Sequence, residues 1–224
     1  MNIFVVVPAF NEVQKIGEVI KDLHRYSYKN IIVVDDCSKD GTGKVAAKEG
    51  VTVLNHVINR GQGAALKTGM EYALKHNADV IITFDADGQH QAKDLKALLK
   101  PLEEGVADAV IGSRFLSNSE KIPFSRKAAL FGGKIFLFLV YGIKVTDSQS
   151  GLRALSRNAA LTVSFNSDRM EHCGEILGEI HKKKIRLKEV PIHVLYTEYS
   201  KQKGQSVLNS VNIAIKLLMK KFFK

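Results

Sequence analysis

The stretch VIITFDADGQH, residues 80–90, decides how this chain is read. Four apolar or β-branched residues and a phenylalanine run straight into two acids one residue apart, Asp85 and Asp87. An unbroken run of that length is the pattern of a strand buried on both faces, as in a parallel sheet. Four similar runs lie nearby: IFVVVP (3–8), IIVVDD (31–36), VTVL (51–54) and DAVIGS (108–113). Between them apolar residues recur at helical spacing. Ile16, Val19, Ile20 and Leu23 follow Asn11, which with Gln14 three residues on reads as a capped helix start. Segments 62–76 and 92–104 fit helices ending at Asn77 and Gly105. Alternating strands and helices predict an α/β fold with a mostly parallel central sheet and helices on both faces.

The second half is less regular. Residues 124–142 read as an apolar helix, DSQSGLRALSR (147–157) as a loop entering a helix, 169–183 as a helix and LKEVPIHVLY (187–196) as an extended segment. With 224 residues, 45% hydrophobic, 25% charged and no internal repeat, the chain is expected to form one domain over 1–205, followed by a tail over 206–224. The most apolar run, IFLFLVYGI (135–143), is about half the roughly 20 residues of a spanning helix and is flanked by Lys134 and Lys144. MNIFVVVPAF enters a strand directly, without the pattern of a secretory leader, which leads us to expect a cytoplasmic protein. Two distant cysteines, Cys37 and Cys173, fit a reducing compartment and are expected to pack as small hydrophobes. A net charge of +10 favours anionic partners without choosing among them. No nucleic-acid-binding motif is present, so nucleic acid ranks last.

The polar residues fall on one edge of the expected sheet. Glu12 follows the first strand, Asp35 and Asp36 end the second, Asp85 and Asp87 end the fourth, and Ser113 and Arg114 follow the fifth. Ligands bind such sheets at the carboxyl ends of strands. Two carboxylates as close as Asp85 and Asp87 repel unless a cation lies between them, and a divalent metal with open sites for phosphate oxygens would supply one. On spacing alone, two turn acids before Gly88 are equally consistent. In NRGQGAALKTG (59–69), Gly61 and Gly63 before a helix would let the backbone approach a phosphate.

In order, PAFNE, VVDDCSKDGT, NRGQGAAL, FDADGQH, GSR and DSQSGLR resemble the family 2 glycosyltransferases of the dolichol-phosphate mannose synthase and polyprenyl-phosphate sugar transferase kind, over roughly residues 3–157. The resemblance implies a single GT-A-type nucleotide-binding domain and an inverting transfer from a GDP- or UDP-linked sugar. It places Pro8, Ala9, Glu12, Asp35, Asp36, Gly61, Asp85 and Ala86 around the nucleotide, and Asp85, Asp87 and Gln89 on Mg2+ or Mn2+. Arg114 and Asp87 would serve the departing diphosphate. Arg126, Ser150, Arg153 and Lys201 would meet the acceptor phosphate, and Asp147 or Glu175 would be the base if the acceptor were a saccharide hydroxyl. His90 is a neighbour of the metal ligands; His172 and His193 are expected to pack or face water. In this chain YSKQKGQSV puts Lys201 in the approximate place of an arginine, and the spanning segments attached to such enzymes are missing from the sequence.

The implied acceptor is a polyprenyl or dolichyl phosphate, with a saccharide hydroxyl or a non-catalytic basic module as alternatives. The tail SVLNSVNIAIKLLMKKFFK (206–224) sets Val207, Val211, Ile215, Leu218 and Phe222 at helical spacings and Lys216, Lys220 and Lys224 on another face. A basic amphipathic helix suits either packing on the domain or an anionic membrane surface. The expected location is therefore peripheral, on the cytoplasmic face of the membrane, with a small membrane protein as a further expected partner.

Overall fold

The computed structural model describes residues 1–117 and 142–195, with Gly132 and Phe138 between them. Of the helix expected over 124–142 only Gly132, Phe138 and Gly142 are among these; Arg126, Lys201 and the tail lie outside them. Seven strands form one sheet: β1 (Ile3–Ala9), β2 (Asn30–Asp35), β3 (Thr52–Asn55), β4 (Val80–Thr83), β5 (Ala109–Ser113), β6 (Arg153–Ser156) and β7 (Leu187–Pro191), in the order β3-β2-β1-β4-β6-β5-β7. Every pairing is parallel except those of β6 with β4 and β5. The helices are α1 (Ile16–Arg25), α2 (Thr42–Lys48), α3 (Gln62–Lys75), α4 (Leu95–Glu103), α5 (Arg157–Thr162) and α6 (His172–Lys182).

Continuous apolar strands become two core layers because successive side chains point to opposite faces. Val5 and Val7 of β1 pack with Ile16, Ile20 and Leu23 of α1 and with Leu95 and Leu98 of α4. Phe4 and Val6 face Ala65, Leu66 and Met70 of α3 and Ile176 and Ile180 of α6. The chain runs from β1 outward to β2 and β3, then returns to place β4 on the other side of β1. That reversal opens a crevice beyond the carboxyl ends of β1 and β4, the place where such sheets take ligands.

Two local expectations are corrected. Asn11 does not cap α1, which begins at Ile16 without a side-chain cap. Its φ is 54°, its amide donates to Ser38 Oγ at 2.9 Å and its Oδ1 accepts from Lys39 N at 2.9 Å, so it ties the β1 loop to the β2 loop. The loop expected over 147–157 contains β6, whose Arg153 lies opposite Thr83 and Ile111. Four residues with an arginine at the head carry no strand signature, and the pairing with β4 and β5 that creates β6 is non-local.

Gly69 of α3 lies where a Cβ would run into Val6 of β1 and Val34 of β2. Alanine improves helix propensity by up to about 1 kcal/mol. Overpacking against two branched residues of a rigid sheet costs about 1–3 kcal/mol and should win. Gly69→Ala is expected to lower the midpoint of urea unfolding.

Candidate active site

The loops after β1 and β2 are stitched together by side chains. Asp36 N donates to Ala9 O at 2.9 Å, Glu12 N to Thr42 Oγ1 at 2.8 Å and Val13 N to Asp40 Oδ2 at 3.1 Å. Pro8 and Ala9 are buried at the end of β1, level with Val34 and Asp35. Asp35 accepts the amides of Ser38 and Gly43 at 2.9 and 3.1 Å. Asp36 accepts those of Arg60 and Gly61 at 3.0 and 2.6 Å and contacts His56 Nδ1 at 2.7 Å. Both acids expected at the nucleoside thus fold the loops around the crevice with their carboxylates.

Gly61 and Gly63 also serve a contact within the chain. A Cβ on either would strike the backbone of Ser167–Arg169. Ala64 N already donates to Asp168 O at 3.1 Å, so the start of α3 is covered by the protein's own chain. Glu175, one of the two candidate bases, accepts from Asn166 N and Ser167 N at 2.9 and 2.8 Å and holds that covering segment in place.

Asp85 and Asp87 stand at the crevice, beyond β4. Asp85 accepts from Gln62 Nε2 at 2.8 Å and meets His90 Nε2 at 3.2 Å. Burial alone would raise its carboxyl, but the His90 hydrogen bond and the charges of His90, Arg153 and His172 hold it below its ordinary value. Asp87 goes the other way: burial first, then the Asp85 charge and a contribution from Glu12, push it up to about 6. That proximity of Glu12 joins the β1 loop to the β4 loop across the crevice. Ala86 is buried between the two acids, and Gln89 N donates to Asp87 Oδ1 at 3.0 Å.

A divalent cation fits this set. The buried Gln89 Nε2 has no partner among the described residues, so the amide has not been fixed by a local bond. Two carboxylates one residue apart, with the buried Gln89 side chain two residues on, provide few protein ligands, as suits Mg2+ or Mn2+ that completes its shell with phosphate oxygens and water. Among the described residues no group of three His, Cys, Asp or Glu side chains converges on one point.

Across the crevice Arg114 donates through Nε to Asp147 Oδ2 at 2.6 Å, in a pair that is 8% and 0% exposed. Asp147 is fixed by Glu189, which accepts from Thr146 N and Oγ1 at 2.8 Å and from Asp147 N at 3.1 Å. Ser150 bonds locally with the Leu152 backbone. Arg153, expected at the acceptor, is instead 1% exposed within the sheet, its charge acting on Asp85, His172 and Cys173. His172 is buried with Nε2 3.5 Å from Cys173 Sγ, and Cys37 is half-buried at φ 64° with Sγ toward Val57 O. Glu189 and Gln62 were missed by sequence reasoning. Each lies in a motif already singled out, but neither has a spacing that reveals its partner.

A mostly parallel sheet with acids beyond β1, β2 and β4 and an ion-paired arginine beyond β5 defines a GT-A-like glycosyltransferase. The family model for Glycosyl transferase family 2 matches residues 4–163, and the chain belongs to that family. It is 37% identical over 99% of its length and 97% of the relative's to a protein of Methanococcus voltae named UDP-N-acetylglucosamine–dolichyl-phosphate N-acetylglucosaminyltransferase. It is 28% identical over 93% of its length and 92% of the relative's to an undecaprenyl-phosphate mannosyltransferase of Micrococcus luteus. Glucosyl-3-phosphoglycerate synthase of Mycobacterium tuberculosis, solved with Mn2+, UDP and phosphoglyceric acid, superposes with a TM-score of 0.77 at 17% identity over 97% of this chain and 76% of that one, a likeness of fold.

The raised Asp87 carboxyl has a consequence for stability. Its folded value of about 6 lies above the ordinary 3.8, so the fold favours the neutral acid. The cost of ionising it is absent below about pH 4 and fully present above pH 6. In chelator, Asp87→Asn should therefore raise the melting temperature at pH 8 and leave it unchanged at pH 3.5, as read by circular dichroism.

Proposed function

We propose that this family 2 enzyme moves a sugar from a UDP-linked donor to a polyprenyl or dolichyl phosphate, with inversion at the anomeric carbon. The single observation that carries the choice of acceptor is that both candidate bases are engaged structurally: Asp147 is paired with Arg114 and Glu175 holds the 166–167 amides. A saccharide hydroxyl must lose a proton as it attacks, whereas a phosphate monoester oxygen is already ionised near neutral pH. The name of the M. voltae relative supports both UDP and a dolichyl phosphate.

In this reading an acceptor phosphate oxygen bonds to the anomeric carbon as the bond from that carbon to the donor's β-phosphate oxygen breaks, and its electron pair leaves on UDP. Asp85, Asp87 and Gln89 would hold Mg2+ or Mn2+, which when bound supplies positive charge to the departing diphosphate. Asp147 orients the Arg114 guanidinium, a planar cation suited to phosphate. Glu12, Pro8 and Ala9 form the β1 side of the nucleotide crevice, while Asp35 and Asp36 shape its loops.

No helix among the described residues is long and apolar enough to cross a membrane. A lipid acceptor nevertheless requires the enzyme at a bilayer. We place it peripherally on the cytoplasmic face, with the basic tail from 206 and a small membrane protein as the proposed means of attachment.

Incubation with UDP-sugars and undecaprenyl or dolichyl phosphate should give a lipid-linked sugar in Mn2+ and none in excess chelator. Asp87→Ala should lower turnover by more than about a hundredfold with an unchanged far-ultraviolet spectrum. Transfer only to a free saccharide would reject the acceptor, and full activity in chelator would reject the metal.

A further inference from the structure

Arg153 is among the largest fully buried side chains of the described residues, at 1% exposure, and its three side-chain nitrogens meet no well-formed hydrogen bond among them, only a weak hydrogen-bonding contact with the Cys173 thiol. A buried guanidinium with so little hydrogen bonding is costly, and an apolar residue of similar volume would serve packing better. The β4–β6 pairing delivers it to one place. Arg153 lies opposite Thr83, two residues before Asp85, and Thr83 Oγ1 donates to Gly151 O at 2.6 Å. Gly151 is so close to Asp85 that any Cβ there would enter the carboxylate. The side chains near the guanidinium are Asp85, His172 and Cys173, with His90 and Gln62 on the Asp85 carboxylate itself. Arg153 is therefore a fixed cation set behind the acids, out of reach of an acceptor at the crevice mouth.

Its charge acts in opposite senses on the two halves of a metal–nucleotide complex. A divalent cation arriving alone meets two carboxylates with a guanidinium behind them, and that repulsion subtracts from its binding. A nucleotide diphosphate is drawn to the same guanidinium, and because the ion–diphosphate pair carries net negative charge, the two effects sum to attraction for the pair.

We propose that Arg153 makes binding of the divalent cation conditional on the nucleotide diphosphate, so that the empty site resists the bare ion and accepts the ion–diphosphate pair. This rests on the metal-and-diphosphate reading of Asp85 and Asp87. Arg153 is in this sense a positioning and charge-balancing residue, acting through Asp85 without touching the sugar.

The test uses the full chain, with Mn2+ affinity read by electron paramagnetic resonance with and without UDP, and no transfer assay. Arg153→Met keeps volume and removes charge; it should bind Mn2+ alone at least about fivefold tighter and, by calorimetry in chelator, bind UDP alone at least about fivefold more weakly. Arg153→Lys, which keeps a charge, should stay close to the unaltered chain in both affinities. If the methionine variant does not fold, Arg153→Gln replaces it. A role in packing alone predicts unchanged Mn2+ affinity in the neutral variants, and that result overturns the inference. A lysine variant that behaves like methionine also overturns it, because charge would not be the cause. If the unaltered chain binds UDP equally with and without Mn2+, the metal reading falls and the inference falls with it; if that dependence holds and the neutral variants match the unaltered chain, the inference alone falls.

Discussion

Where a parallel sheet ends, main-chain N–H groups emerge with no strand opposite them, and in this protein carboxylates satisfy many of them. Asp35 takes the amides of Ser38 and Gly43, Asp36 those of Arg60 and Gly61, Asp40 those of Val13 and Thr42. Asp22 takes Ala92 N, Asp94 takes His193 N, Glu175 takes 166 and 167, and Glu189 takes 146 and 147. Each bond gives a main-chain donor a partner in the chain and ties down a loop at that point. The crevice is rigid because its walls are tied in this way.

Asp85 and Asp87 stand out against that pattern. Among the described residues Asp85 is met only by side chains, and Asp87 receives one amide, that of Gln89. Two acids this near each other, with so little main-chain compensation, are held in an unfavourable state that the packing of β4 enforces. The two carboxyls are driven apart: the His90 hydrogen bond and nearby positive charge outweigh burial at Asp85 and pull it down, while burial and then the Asp85 charge push Asp87 up.

The sheet was legible in the sequence wherever a strand is buried on both faces, since such strands must be apolar throughout; β1, β2, β4 and β5 are of this kind. It was not legible at β6, which exists because β4 and β5 leave a gap between them. The identity of the acids was equally plain, but their employment was not. Whether an aspartate at a strand end serves a ligand or a loop depends on which amides the rest of the chain brings to it, and Asp36 is served by residues 24 and 25 positions away. Arg153 shows the same limit: its motif marked it as functional, and only the β4–β6 register reveals which charge it faces.

The segment 167–169 lying on Gly61 and Gly63 joins two halves of the molecule that the sequence keeps a hundred residues apart. Gln62, between those glycines, holds Asp85, while Glu175 secures the segment from α6. Chimaeras that exchange the second half of this enzyme for that of a relative would therefore have to carry the 61–63 turn along with it. A graft cut between them would leave two surfaces shaped for different neighbours, and recombination within the family should be tolerated chiefly at joints that keep the two together.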